Sequence, residues 1–523
     1  MIDAAVRAGI RPILCRQERV GVGIADGFSR VADDGRFGVF AMQYGPGAEN
    51  AFAGVASAYS DGIPILLLPI GNSLDRSQMR PLFRSASSYA SITKAGEVIV
   101  RPEDVVEVMR RAFSALRNGP PGPVLVEIPA DVAITEVPEN AMPYRKVVPV
   151  RSAADPGAVE AVVEALSWAQ TPVILAGHGI LQAGASEALV RFAELLRLPV
   201  ITTLAGKSAI PESHALALGV ASVVASDPVI ECLRGADLVL ALGCSLTRHF
   251  LSPKLPEHAT IVQLTGDALD LNKSYHVDYP LVGDAKLVLE QLLAAARDFR
   301  DDDRPSLLDI TVRIEAAQQA WLAKWEPKLT SDEVPITPYR VLHEFMQVFD
   351  PDETIVTHDS GSPRDQIVPF YRSGGPNTYL GWGKSHALGG GFGLIMGAKL
   401  AAPEKFCVQF LGDAAFGMTG LDIETAVRAE IAVIWIVLNN STMAIEISNL
   451  KESHEQYRAR DIGGDYTHVA QALGVDARRV ERSEDLASAL EYAKRVASEG
   501  RCVLLEVITS PETAFANRRV LSE

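Results

Sequence analysis

Residues 406–440, FCVQFLGDAAFGMTGLDIETAVRAEIAVIWIVLNN, decide the fold. The apolar run from Phe406 to Leu411 reads as a strand and Gly412-Asp413 as a tight turn. A helix follows from about Leu421, and the β-branched run from Ile431 to Leu438 is a second strand ending in Asn439-Asn440. This is a βαβ unit with polar residues at the carboxyl ends of both strands. Ligands of open parallel sheets sit just beyond those ends, so Asp413 and Asn440 are expected to converge. A carboxylate, an amide oxygen and loop carbonyls are hard oxygen donors that suit Mg²⁺ shared with a phosphate. The turn after Leu411 also presents backbone N–H groups at a helix start, where phosphate binds readily.

Outward from this unit the same alternation recurs. Residues 1–150 give a short helix (2–8), strand-like IRPILC (10–15), helix-like ERVGVGIADGFSRVA (18–32), strand FGVFAMQ (37–43), loop YGPGAEN (44–50), a helix, and strand PILLLPI (64–70). A polar, Pro-containing stretch at 137–156 reads as a linker. The middle region adds TPVILAGHGI, LPVITTLAGKSAI, ADLVLALGCSLTRHF and ATIVQLTGD, and residues 301–335 hold a charged, partly amphipathic connector helix. The expected architecture is α/β, with three doubly wound parallel-sheet domains at 1–140, 155–300 and 335–523.

A chain of 523 residues is too long for one core. A formal charge of −16 argues against nucleic acid as a partner. Five cysteines without CxxC spacing suggest neither a disulfide framework nor zinc, so a reducing cytoplasm is the expected location. No apolar run reaches the ~20 residues of a membrane span, and the first residues lack the form of a signal peptide.

Gly412-Asp413 followed by Asn439-Asn440 resembles the diphosphate-binding signature of thiamine-diphosphate (ThDP) enzymes. RQERVGVGIADGFSR (16–30) resembles the second signature of that superfamily, the helix whose glutamate contacts N1′ of the aminopyrimidine. Taken singly, each has an ordinary reading as a turn, a strand end, or a glutamate favoured at a helix start by the dipole. Together and in order, they imply that Asp413, Asn440 and the main-chain carbonyl of Thr442 hold Mg²⁺. Gly412, Ala414, Ala415 and Met443 would line the cofactor loop. Glu18 would exchange a proton with the ring, which requires a carboxyl group rather than an amide.

The resemblance extends along nearly the whole chain and is closest to the acetolactate synthase large-subunit branch. YGPGAENAFAGVASAYSDGIPILLL (44–68) matches its pyrimidine-domain segment, implying that Gly45 faces the reacting centre, with Gln43 and Tyr44 near substrate. Phe83, Arg84 and Lys94 lie where those enzymes carry Phe-Gln and a downstream Lys. Arg84 departs from that pattern, in keeping with a different acceptor, an anionic substrate or a surface arginine. Ser362 falls at a diphosphate contact, although the usual Gln-His pair is missing. GWGKSHALGGGFGLIMGAK (381–399) matches the segment with an apolar wedge beneath ThDP, implying Leu388 as the wedge and the His386 carbonyl as an acceptor for the aminopyrimidine. Glu446 lies where pyruvate-decarboxylase-like relatives place a catalytic carboxylate.

The middle region resembles a domain that binds FAD or ADP in some members. SLTRHF (245–250) replaces the acidic-basic run of FAD-binding synthases, so FAD is unlikely, and Arg248 and His249 remain candidates for a CoA-type adenine nucleotide. The implied activity is ThDP- and Mg²⁺-dependent decarboxylation of a 2-oxo acid with carboligation, in a homodimer or homotetramer with the cofactor at the subunit interface. One alternative is a 2-hydroxyacyl-CoA lyase or oxalyl-CoA decarboxylase-like enzyme acting on acyl-CoA, for which Arg84, Arg248 and the Arg518-Arg519 tail speak. Another is a non-catalytic assembly or regulatory relative.

Overall fold

The computed structural model describes all residues except 34, 138–143, 298, 300–304, 386 and 522–523. His386 and the expected domain ends at 140, 300 and 523 therefore lie outside the described residues. Three parallel sheets follow one another along the chain. The first contains β1 (Gly38–Met42), β2 (Ile65–Gly71), β3 (Ala95–Val98) and β4 (Val124–Pro129) in the order β1-β2-β4-β3. The second contains β5 (Pro172–Ala176), β6 (Val200–Thr203), β7 (Ala217–Ala221), β8 (Leu238–Leu242), β9 (Thr260–Thr265) and β10 (Tyr279–Val282) in the order β10-β9-β8-β5-β6-β7. The third contains β11 (Thr354–His358), β12 (Tyr379–Leu380), β13 (Phe406–Gly412), β14 (Ile434–Asn439), β15 (Asp476–Val480) and β16 (Val503–Ile508) in the order β12-β11-β13-β14-β16-β15. Strands this apolar need helices on both faces, and β5, β8, β11 and β14 are buried along their whole length.

Two expectations need correction. The helix after β13 starts at Asp413 itself and runs to Thr419, and a separate short helix covers Ile423–Arg428. The break falls at Gly420, where a Cβ would meet the Phe416 ring at 2.7 Å. The IRPILC segment is not a strand. It lies across the third domain instead, where Arg11 donates to the Ala429 carbonyl, Arg428 donates to the Leu14 carbonyl (2.6 Å), and the Arg16 N–H donates to Asp422 (2.9 Å). Its apolar residues Ile10 and Leu14 stay exposed.

The domains are joined by polar and close-packed seams. Arg30 is buried between Asp26 (2.6 Å) and Asp61 (2.9 Å) of its own domain and donates to the Gly381 carbonyl of the third (3.2 Å). Lys207 of the second domain pairs with Glu212 and donates to the Tyr371 carbonyl (2.7 Å), while Glu212 accepts from the Ser373 N–H (2.7 Å). The helix Glu18–Val31 lies directly on the helix Gly391–Ala401. A Cβ at Gly23 would stand 3.0 Å from Gly393 Cα, one at Gly27 2.0 Å from the Leu394 carbonyl oxygen, and one at Gly397 2.1 Å from that of Ile24. Only glycine permits backbones to approach so closely.

Candidate functional site

The order of the third sheet reverses between β11 and β13, and in such sheets the ligand crevice opens beyond the strand ends at the reversal. Asp413 stands there as the first residue of its helix, nearly fully buried. Its Oδ1 accepts the Ala414 N–H (2.7 Å), whereas Oδ2 is buried without a hydrogen-bond partner. Burial pushes the carboxyl up to about 6, and the N–H groups of Ala414, Ser441 and Asn440 hold it from rising further. The ends of β13 and β14 lie side by side, with Gly412 opposite Leu438.

Beyond β14 the chain turns sharply at Ser441, whose φ is 56°. Asn439 points inward, donating to Glu506 (2.7 Å) and accepting the Ser441 N–H (3.1 Å); Glu506 in turn accepts from the N–H and hydroxyl of Thr467 (2.9 and 2.7 Å). This buried network leaves Asn440 at the crevice, where its Oδ1 accepts the Thr442 N–H (3.1 Å). The Thr442 carbonyl accepts the Ala444 N–H (2.9 Å). Amide and carbonyl oxygens each retain a second lone pair. An orphaned carboxylate oxygen beside two half-used neutral oxygens fits a hard divalent cation that completes its shell with phosphate and water. Among the described residues no cluster of three His, Cys, Asp or Glu offers a metal site made of protein alone.

Met443 and Glu446 follow on the same loop, and Glu446 accepts from the Asn449 side chain (2.9 Å). Ser362 begins a short helix at the end of β11, buried, after Gly361 with φ 94°. Ala414 and Ala415 lie in the first turn after Gly412, which caps the Asp413 helix.

Leu388 is half-buried at the edge of the third domain's core and opens the turn 388–391. That turn is held from beneath by Asp359, a residue whose part sequence reasoning missed. Asp359 Oδ1 accepts the N–H groups of Ser360 and Gly389 (both 2.8 Å). Its Oδ2 accepts the Gly391 N–H and the Gln409 amide (both 3.1 Å). Burial raises this carboxyl to about 6, and the backbone donors together with the charge of Arg19 oppose the rise. The only sequence signal was an acid directly after a strand. His358, just before it, stacks on Trp382 (5.4 Å between ring centroids, 8° between planes) and is held neutral by burial, far below its ordinary range at about 3.

The second group of site residues belongs to the first domain. Glu18 opens its helix, half-buried, and accepts from Asn50 (3.2 Å). A Cβ at Gly47 would lie 3.5 Å from Glu18 Oε1 and 2.9 Å from Gln43 Cβ, so Glu18, Gln43 and the Gly45–Gly47 loop adjoin. Gly45 has φ 58° and ψ −109°, a conformation reserved for glycine. Gln43 and Tyr44 are exposed beside it. The helix of Glu18 then runs onto the helix that follows Leu388, and this contact joins the first and third domains of the chain.

Three residues singled out in the sequence have other occupations. The Lys94 ammonium donates to the Ala115 (2.6 Å) and Asn118 carbonyls at a helix end. Arg84 binds Gln78 at the surface. Arg518 pairs with buried Asp365 (3.0 Å). Arg248, His249 and Arg519 line an open cavity of about 330 Å³ past the end of β8, together with Phe250, Lys254 and Tyr275.

Comparison with known proteins covers this layout from end to end. Family models described as thiamine pyrophosphate enzyme match residues 1–89 (N-terminal TPP binding domain), 159–292 (central domain) and 359–507 (C-terminal TPP binding domain). The chain is 29% identical to the probable acetolactate synthase large subunit of Methanocaldococcus jannaschii, with 98% of this chain and 88% of that protein aligned. It is 28% identical to the corresponding Methanococcus aeolicus protein (94% and 85%) and to the acetolactate synthase isozyme 3 large subunit of Escherichia coli (95% and 88%). The Glu18 and Asp413 signatures thus fall in the two cofactor-binding domains, and with all three domains present in order the chain belongs to the thiamine pyrophosphate enzymes.

Proposed function

We propose that the protein is a ThDP- and Mg²⁺-dependent enzyme that decarboxylates a 2-oxo acid and joins the remaining fragment to a second carbonyl compound, in the manner of the acetolactate synthases to which it is similar. The observation that carries this reading is the unpartnered Asp413 Oδ2 at the reversal of the third sheet, facing the Asn440–Thr442 loop. When bound, ThDP supplies an acidic carbon that becomes the nucleophile and a ring that accepts the electrons released with CO₂. Asp413, Asn440 and the Thr442 carbonyl would hold Mg²⁺, and the N–H groups of the Asp413 helix start would receive phosphate. Leu388 would orient the cofactor from beneath, an effect of proximity. Glu18 would hold and return a proton at the aminopyrimidine nitrogen. Gln43 would face substrate, and Glu446, released from its Asn449 contact, would relay a proton.

Glu18 and Asp413 sit on different domains, and by the family likeness, in which ThDP lies between domains of different subunits, the complete site would be formed by two copies of the chain, as a homodimer or a pair of homodimers. Tightly bound FAD is not expected. Supporting that view, the loops after β5 and β8 press together: a Cβ at Gly177 would stand 2.3 Å from the Gly243 carbonyl oxygen, and Cys244 Sγ donates to the Leu175 carbonyl (3.2 Å).

The test is Glu18→Gln. With ThDP and Mg²⁺ saturating, it should bind cofactor yet lose C2-proton exchange and pyruvate consumption by about 10²-fold or more. Acetolactate appearing with CO₂ from pyruvate in the unmodified protein supports the carboligase; unimpaired exchange in Glu18→Gln rejects the role of Glu18.

A further inference from the structure

We propose that Asp359 is a positioning residue that sets the Leu388 turn into its working shape before the cofactor arrives. This deepens the functional reading above and rests on Leu388 being the wedge.

Both Asp359 oxygens are saturated, and three of the four donors are backbone N–H groups, those of Ser360, Gly389 and Gly391. The fourth, the Gln409 amide, comes from the middle of β13 (3.1 Å), so one carboxylate spans the end of β11, the turn and the neighbouring strand. The turn itself is pressed against the protein on every side. A Cβ at Gly389 (φ 83°) would meet Thr419 Oγ1 at 2.5 Å, one at Gly390 the Trp382 ring at 2.8 Å, and one at Gly391 Gln409 Nε2 at 2.4 Å. Thr419 adds a hydrogen bond to the Gly389 carbonyl (3.0 Å). Three successive glycines without side chains leave Leu388 as the nearest side chain whose position the turn dictates. The opposite charge acting on Asp359 is that of Arg19, the residue next to Glu18, so the helix bearing Glu18 passes near this carboxylate.

An amide cannot substitute. Whichever way Asp359→Asn is oriented, its NH₂ group faces backbone donors, either Ser360 and Gly389 or Gly391, even when Gln409 turns its unpartnered Oε1 toward it. A buried donor facing a donor loosens what the carboxylate tied.

The experiment uses the full chain. In the unmodified protein without ThDP, hydrogen exchange at the Gly389 and Gly391 amides should already be slow and change little when ThDP and Mg²⁺ are added. Exchange that is fast until the cofactor binds would overturn the proposal, and this arm needs no variant to fold. In Asp359→Asn the same amides should exchange at least about tenfold faster. At saturating ThDP, C2-proton exchange should also fall by about tenfold or more, beyond any change in ThDP affinity. Leu388→Ala, run in parallel, should slow C2-proton exchange while leaving the glycine amides unchanged. If Leu388→Ala slows it and Asp359→Asn alters neither readout, Asp359 is not the positioning residue. If Leu388→Ala has no effect on C2-proton exchange, the wedge reading fails, and the amide measurements still decide whether Asp359 presets the turn.

Discussion

Asp413 Oδ2 is a carboxylate oxygen that the protein buries and leaves unmatched, and its carboxyl is raised to about 6 as a result. A cation must compete there with a proton. Mg²⁺ affinity should therefore be constant above that value and fall as pH drops through it, approaching about tenfold per pH unit. Calorimetric titration of Mg²⁺ with ThDP present, on both sides of pH 6, checks this. Asp413→Asn should weaken Mg²⁺ by at least about tenfold and flatten the dependence. His178 behaves in the opposite sense. It is half-buried at the junction of the three domains, near Arg30, Lys384 and Asp61, and the partial loss of water holds it neutral down to about 4. The unfolded chain takes up that proton below its ordinary value near 6.5. Its contribution is thus intact above about 6.5 and is lost as pH falls toward 4. Melting temperature followed across that window should decline less steeply in His178→Gln than in the unmodified protein. Asp413 and Asn440 could be placed from the sequence because strands β13 and β14 end beside them, whereas Glu18 was singled out by its motif alone, since no strand precedes it. Asn439, Glu506 and Asp359 were not, because their partners are 67, 39 and 30 to 50 positions away and carry no local pattern.

Between elements, the glycines of the two packed helices act as a measured gap. Gly397→Ala would bring a methyl group within 2.1 Å of the Ile24 carbonyl oxygen and 2.5 Å of the Phe28 nitrogen, both backbone atoms that cannot rotate away. Overpacking of this kind costs about 1–3 kcal/mol. Denaturant unfolding should show it, with Gly266→Ala, which meets nothing within 4 Å, as the unaffected control. The alternating small residues Gly21, Gly23 and Ala25 foretold close approach, but not to which neighbour. Gly21 faces the Phe40 ring in its own domain, while Gly23 and Gly27 face the third. The IRPILC segment misled for a related reason. An apolar run specifies burial only if a neighbouring strand exists to pair with it, and here the Leu14 and Ala429 carbonyls are taken by the side chains of Arg428 and Arg11 instead.

At the scale of the whole molecule, the three parallel sheets could be read from the apolar strands and the helices between them, since a strand buried on both faces has nowhere else to go. How the domains meet could not, because buried pairs such as Lys207 with Glu212, or Arg30 with Asp61, look like any other charges in a sequence. Shared sites between two copies make a prediction at this scale. Glu18→Gln and Asp413→Asn, each inactive alone, should recover activity when their subunits are mixed, up to about a quarter of the unmodified level in a two-fold dimer. No recovery in a preparation shown to contain mixed dimers would mean that each chain completes its own site. Purified protein should also lack visible flavin absorbance, and stoichiometric flavin would reverse the reading of the central domain. The glycine seam has a further implication, one for descent. Gly23, Gly27, Gly393 and Gly397 are fitted to one another at backbone distance, so no one-step replacement by a larger residue can be absorbed by a side chain moving aside. Changes around Arg248 and Glu446 can alter what is bound without touching this seam, which admits no larger side chain between the first and third domains of the chain.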